Sequence, residues 1–289
     1  MKRKFSKIDM TAWLFIVPSV ILIVLFIFYP MVQAFITSFQ TGIGNNMHFN
    51  GIDNYIRLFS DETFKKALVN TILYLIVQVP IMILLALIIS SMLNDKKLKG
   101  RDFFRTAIFL PCISSLVAYS IIFKSLFASD GFVNAILMNL NIISEPISWI
   151  SHPTLARVLI IIAITWRWTG YNMVFYLSGL QSIDDSIYEA ADIDGATGIQ
   201  KFRYMTVPLL KPIILFTTIN STIGTLQLFD EPMNITQGGP ANATITISQY
   251  IYNVLFKYTP DFGYAAAMSF VVVILIVALS FVQKKVGED

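Results

Sequence analysis

Two groups of polar residues stand out in a chain that is otherwise strongly apolar. The first is a run of carboxylates, Asp184, Asp185, Glu189, Asp192 and Asp194, around the small pair Ala190-Ala191 and closed by Gly195. Ser186 with Glu189 has S-x-x-E capping-box spacing, and Thr197 with Gln200 has T-x-x-Q spacing. Gly195 falls where a helix would stop in a left-handed turn, so the segment reads as helix, glycine turn, helix. Anionic lipid repels an acidic helix. The segment therefore suits a protein partner with a complementary groove, the alternative being a solvated amphipathic connector. The second group is centred on Arg167, the one charge deep in an apolar run, followed by Trp168, Tyr171 and Asn172. A charge at mid-bilayer costs about 2.5–3.5 kcal/mol on insertion scales. Such an Arg faces protein or water, or else snorkels to an interface. The rings and the amide beside it suit the apolar faces and hydroxyls of a saccharide, and they serve packing equally well.

Other chemistry lacks its residues. Only His48 and His152 occur, far apart, with one cysteine, Cys112, so neither a metal cluster nor an internal disulfide is expected. There is no G-x-x-x-x-G-K-[ST] phosphate loop and no G-x-S-x-G elbow.

The elements that must position these residues follow from composition. Of 289 residues, 55% are hydrophobic and 13% charged, against about 25% charged in a soluble domain. Mean hydropathy is +0.67. The surroundings must be lipid, and a net charge of +3 offers nucleic acid no useful footprint. A bilayer crossing needs about 20 apolar residues. Six runs qualify, at 11–35, 68–93, 106–127, 155–179, 206–229 and 264–283. The first is too long for a signal-peptide core and has no A-x-A site after it, so it reads as a permanent anchor. Basic residues alternate sharply between loops. Lys2, Arg3, Lys4 and Lys7, then Lys96, Lys97, Lys99, Arg101 and Arg105, then Lys201, Arg203 and Lys211, then Lys284 and Lys285 fall on one side. The other side holds Arg57, Lys65, Lys66 and Lys257. Both termini are thereby expected in the cytoplasm. Residues 1–289 are expected to form one all-α integral membrane domain, with a cytoplasmic loop at 180–205. The far-side loops near 36–67, 128–154 and 230–263 have room for short helices.

Glu189-Ala190-Ala191, Gly195 and Met205-x-Val207-Pro208 together resemble the EAA signature of ABC importer permeases, which usually has Ile and Leu where Met205 and Val207 stand. Trp166-x-Trp168-x-Gly170-Tyr171-Asn172, Leu180-Gln181-Ser182-Ile183, Phe229-Asp230 and Thr236-Gln-Gly-Gly-Pro240 with Thr244 resemble the sugar-permease branch, in particular its maltose-type first subunit. The resemblance extends over nearly the whole chain. It implies the type I ABC importer permease fold in the bacterial cytoplasmic membrane. The expected partners are a second sugar permease, a cytoplasmic ABC ATPase dimer and an extracytoplasmic sugar-binding protein. No catalysis and no cofactor are implied in this chain, ATP and Mg belonging to the ATPase. Glu189, Ala190, Ala191, Asp194 and Gly195 would dock the ATPase. Arg167, Gly170, Met173, Ser221, Gly224, Thr225 and Leu228 match positions along the sugar path, beside Trp168, Tyr171 and Asn172. The maltose-type relative has Asn at Arg167, Thr225 and Leu228 and aromatics at Met173 and Gly224, which implies a different saccharide, one with a larger or an acidic group that could pair with Arg167. Gly238, Gly239 and Pro240 would meet the binding protein, unless they form an ordinary turn. An ABC permease for a polyamine or phosphate, a free-standing carrier or channel, and an integral membrane enzyme are the alternatives.

Overall fold

The computed structural model describes residues 7–288; Lys2, Arg3 and Lys4, part of the charge argument, lie outside the described residues. Trp13–Thr37 is a continuous apolar helix. It is built from α1 (Lys7–Ile23) and α2 (Tyr29–Thr37), joined through a π turn at Val24–Phe28 just before Pro30. A two-residue antiparallel hairpin pairs Gln40 with Phe49 and Thr41 with His48, and α3 (Asp53–Ser60) follows. The second long helix is α4 (Glu62–Asn94). Asp61 caps it by accepting from the Thr63 and Phe64 amides at 2.8 and 3.1 Å, which satisfies two of the donors every helix start leaves free.

The expected span 106–127 is not one straight helix. α5 (Arg101–Ile113) and α6 (Leu116–Leu126) meet at 104°. Pro111 occupies the last turn of α5, and Ser114 and Ser115 take extended angles through which no helix continues. After the short α7 (Phe132–Asn139), α8 (Pro153–Gln181) forms the central span. The expected span 206–229 also differs. α9 (Asp185–Ile193), α10 (Gly198–Lys201) and α11 (Val207–Leu209) lead to α12 (Lys211–Leu226) across a 70° corner at Leu210. Pro208 and Pro212 flank that corner and remove two amide donors from it. The helix stops at Leu226, so Leu228 is not helical. α13 (Ile247–Tyr252) and α14 (Phe262–Glu288) complete the chain. Among the described residues, four helices are long and apolar enough to cross a membrane, or up to six if each bent pair is one span.

The chain divides into two compact units. The smaller one joins residues up to Ser60 with Ile251–Val271. Buried Asn54 ties its turn together, donating to the Ser38 and Gln40 carbonyls at 2.9 and 2.8 Å. Gly263 lies against the Gln40 carbonyl so closely that a Cβ would come within 1.8 Å of its oxygen. Arg57 pairs with Asp261 at 2.7 Å and covers the Tyr264 ring.

The larger unit, Asp61–Tyr250 with Val272–Asp289, holds the core. α8 packs along α4, α5 and α12. Its first half contributes Leu159, Ile160, Ala163 and Ile164 to a cluster with Tyr74, Tyr119 and Phe123. Its second half contributes Met173, Tyr176 and Leu177 to a cluster with Ala86 and Leu93. Gly170 permits the closest approach, since a Cβ there would sit 2.1 Å from the Ile108 carbonyl oxygen of α5. Two hydrogen bonds between side chains tie helices of this bundle together. The Tyr176 hydroxyl meets Thr217 Oγ1 at 2.7 Å, and Gln283 Nε2 donates to Thr222 Oγ1 at 2.7 Å.

Candidate functional site

A cavity of about 360 Å³ opens where α4, α8 and α12 converge. Its lining combines Gln78 and Met82 from α4, Trp168 and Tyr171 from α8, and Phe216, Asn220, Ser221, Ile223, Gly224 and Thr225 from α12. The polar side chains are held in place. Thr225 Oγ1 donates to Gln78 Oε1 at 3.2 Å. Asn172, directly behind the lining, donates to the Trp168 carbonyl at 2.9 Å and reaches Ser221 Oγ at 3.5 Å, while its own Oδ1 has no partner. Trp168 and Tyr171 stand edge to face at 5.5 Å. The aromatic faces can cover apolar sugar surface, and the amides and hydroxyls can exchange hydrogen bonds with sugar hydroxyls in either direction. A Cβ built at Gly224 meets nothing within 4 Å, so the missing side chain is itself part of the cavity.

Of the residues expected along the path, Trp168, Tyr171, Ser221, Gly224 and Thr225 line this cavity. The others sit elsewhere. Gly170 faces α5, Met173 is buried in the core with Tyr176, and Leu228 belongs to the cluster around Tyr119. Arg167, at the midpoint of α8, neither snorkels nor lines the cavity. Its side chain is 13% exposed, and its Nη1 lies 3.5 Å from Oε1 of Glu231, a carboxylate 3% exposed. An acidic substrate group would have to displace that partner. Five lining residues, Gln78, Met82, Phe216, Asn220 and Ile223, were not singled out from the sequence. Gln78 carried a usable signal, as an amide in the middle of the 68–93 apolar run.

The segment 184–201 folds as a helix, a glycine turn and a helix, with one change. α9 starts two residues earlier than its spacing suggests. Asp184, not Ser186, is the N-cap, accepting from the Ser186 amide at 2.9 Å. Hydrogen bonds from that amide and from the Ser186 hydroxyl hold the Asp184 carboxyl below the usual carboxylate range. Gly195 has φ +78°, the Gly195 amide donates to the Asp192 carbonyl, and the Ala196 amide donates to that of Ala191. This paired arrangement ends a helix in the left-handed region. The Thr197–Gln200 capping box is present. Ala191 points into the protein at 1% exposure, whereas Glu189, Ala190, Asp194 and Gly195 are exposed. The acidic rim is partly neutralised, because Lys96 pairs with Asp185 and Lys201 with Asp192. Beside the EAA residues stand two exposed apolar side chains that sequence reasoning passed over, Ile193 and Ile199. In the loop after α12, Gly238 is buried against Gln249, and the exposed positions are Gln237, Ala241 and Asn242 rather than the glycine pair.

Residues 64–287 match the family described as the binding-protein-dependent transport system inner membrane component. The chain belongs to this family. The permease is 56% identical over 277 residues to the lactose transport system permease protein LacF of Rhizobium radiobacter, covering 95% of this chain and 93% of that one. It is 35% identical over 282 residues to the arabinooligosaccharides transport system permease protein AraP of Halalkalibacterium halodurans, covering 96% and 88%. Its fold matches a chain in the crystal structure of a bacterial ABC transporter involved in the import of the acidic polysaccharide alginate. The TM-score is 0.82 at 24% identity, over 98% of this chain and 96% of the other. The protein is therefore a multi-pass subunit of an ABC importer in the cytoplasmic membrane, and ATP hydrolysis belongs to separate ATPase subunits.

Proposed function

We propose that this permease carries a neutral disaccharide or short oligosaccharide through the α4–α8–α12 cavity. Residues 1–289 act as one permease domain with both termini in the cytoplasm, alongside a second permease and an extracytoplasmic sugar-binding protein. The ATPase dimer, which holds the ATP and Mg, docks on the α9 face formed by Glu189, Ala190, Asp194 and Gly195. Gln237, Ala241 and Asn242, which flank Gly238, Gly239 and Pro240, meet the binding protein.

The observation that carries the substrate class is the lining itself: three aromatic rings with amides and hydroxyls, and no ionised side chain. Its volume falls in the range of roughly 300–1,000 Å³ usual for small-molecule pockets. A polyamine or a phosphate would need an opposing charge in the wall. Glu231 also occupies Arg167, which removes the cation that an acidic saccharide would seek. Lactose is the first sugar to test, because the relative at 56% identity is a lactose permease by name.

The test is uptake by the reconstituted importer in proteoliposomes, comparing lactose with a disaccharide that carries a uronic acid. Lactose uptake that depends on ATP and on the binding protein is expected, with little acid uptake. Preference for the uronic acid would overturn the neutral-sugar reading.

A further inference from the structure

Trp168 forms one wall of the cavity, and behind it lies a group of side chains that the cavity does not use directly. The Arg167 guanidinium carbon is 5.2 Å from the centroid of the Trp168 ring and 5.9 Å from that of Tyr119. Both distances are within reach of a cation–π attraction. The Arg167 Nε has no hydrogen-bond partner. The orientation of the guanidinium therefore depends on the two rings and on Glu231, 3.5 Å away. Glu231 comes from the loop after α12, the same loop that carries Gly238, Gly239 and Pro240. That loop is anchored where Thr246 Oγ1 donates to the Leu228 carbonyl at 2.6 Å. Leu228 and Ile235 pack in one cluster with Tyr119 and Ile164.

Burying two opposite charges is a costly way to pin a loop to a helix. Well-packed apolar residues of similar volume often do so as well or better. What an apolar pair lacks is the ability to hold a positive charge over the face of an indole. We infer that Glu231 is a positioning residue of the sugar site, acting through Arg167 to set the orientation of Trp168. A movement of the loop then reaches the cavity wall through one carboxylate, one guanidinium and one ring. This rests on the sugar site proposed above.

The experiment uses the complete importer in proteoliposomes, with lactose as substrate. Glu231→Gln, Glu231→Asp and Arg167→Lys are compared with Trp168→Ala and Gly224→Phe. The first three are also made in a background where Phe replaces Trp13, Trp149 and Trp166, so that Trp168 is the only tryptophan of this chain, and its emission is read as the difference from Trp168→Phe in the same importer. Glu231→Gln is expected to raise the lactose KM about tenfold, less than truncating one partner of a directly binding buried charge pair does, and to shift Trp168 emission. Glu231→Asp and Arg167→Lys should fall between it and the wild type. If Glu231→Gln lowers only the yield of assembled importer, with KM and emission unchanged, the pair is a structural pin and the inference is wrong. Should that variant fail to assemble, unchanged KM and emission in Glu231→Asp and Arg167→Lys would refute it instead. If Trp168→Ala and Gly224→Phe also leave lactose transport untouched, the sugar site itself is wrong. If they impair transport while the Glu231 and Arg167 variants do not, only the positioning role fails.

Discussion

Gly224 gives the sharpest handle on the transport path. It lies in the last turn of α12, and a Cβ built on it meets nothing within 4 Å. Alanine there should be tolerated, and should even help folding, since Gly in a helix interior is worse than Ala by about 0.8–1.0 kcal/mol. Phenylalanine has only one direction to grow, into the 360 Å³ cavity between Trp168, Tyr171 and Phe216. A sugar would then share its site with a ring, and overfilling a packed space costs typically about 1–3 kcal/mol. At the upper end that is about a hundredfold in affinity, at 1.4 kcal/mol per tenfold. Uptake of radiolabelled lactose by proteoliposomes holding the complete importer measures it. Gly224→Ala should stay within about threefold of wild type, well under the 1.4 kcal/mol of one tenfold step. Gly224→Phe should assemble normally and lose uptake through a raised KM. Normal transport kinetics in Gly224→Phe would show that the sugar passes elsewhere. Poor assembly of Gly224→Ala would refute the space argument on which the prediction stands.

Three further outcomes follow from the same geometry. Gly170→Ala should lower the yield of folded permease by destabilising the α5–α8 contact by roughly 1–3 kcal/mol, because its Cβ would press on the Ile108 carbonyl at 2.1 Å; detergent-solubilised melting temperature reads this. Gly195→Val should weaken ATPase co-purification while Gly195→Asn is better tolerated, since φ +78° is hard for a β-branched residue and admissible for asparagine. The Asp184 cap depends on its ionised carboxylate, whose value is depressed by the Ser186 amide and hydroxyl. Its stabilisation is therefore present above the ordinary aspartate value of about 3.9 and is lost as pH falls through the lower folded-state value. ATPase binding to the α9 loop should show no dependence on Asp184 at neutral pH when Asp184→Asn, which still caps, is compared with wild type, and a loss with Asp184→Ala.

Much of this was legible along the chain because it depends on local order. Apolar runs of bilayer length had to be helices, since lipid offers the backbone no other partner. The glycine turn at Gly195 and the Thr197–Gln200 box are properties of a few adjacent residues, and both stand as their spacing implied. The start of α9 was misplaced by two residues because Asp184 and Ser186 are both good caps, and only the backbone path chooses between them. The break at Ser114–Ser115 was hidden for a different reason. Serine is common in membrane helices, so Ser114 and Ser115 do not by themselves announce the 104° corner.

The sequence by itself determined a lipid-embedded helical chain, an exposed EAA segment and a set of polar and aromatic residues around one buried charge. The tertiary structure decided which of those residues share a cavity. Gly170 and Met173 lie near cavity residues in sequence yet face α5 or the core, because helices present different neighbours at each 100° step, and Leu228 lies past the end of α12 and packs in the core. Glu231 is the clearest case. In sequence it is one more carboxylate in a loop, but folding buries it against Arg167. That contact spans 64 residues, so no spacing rule could register it. Folding thus turned Arg167, at the midpoint of α8, from an expected ligand for acidic sugar into half of an internal pair.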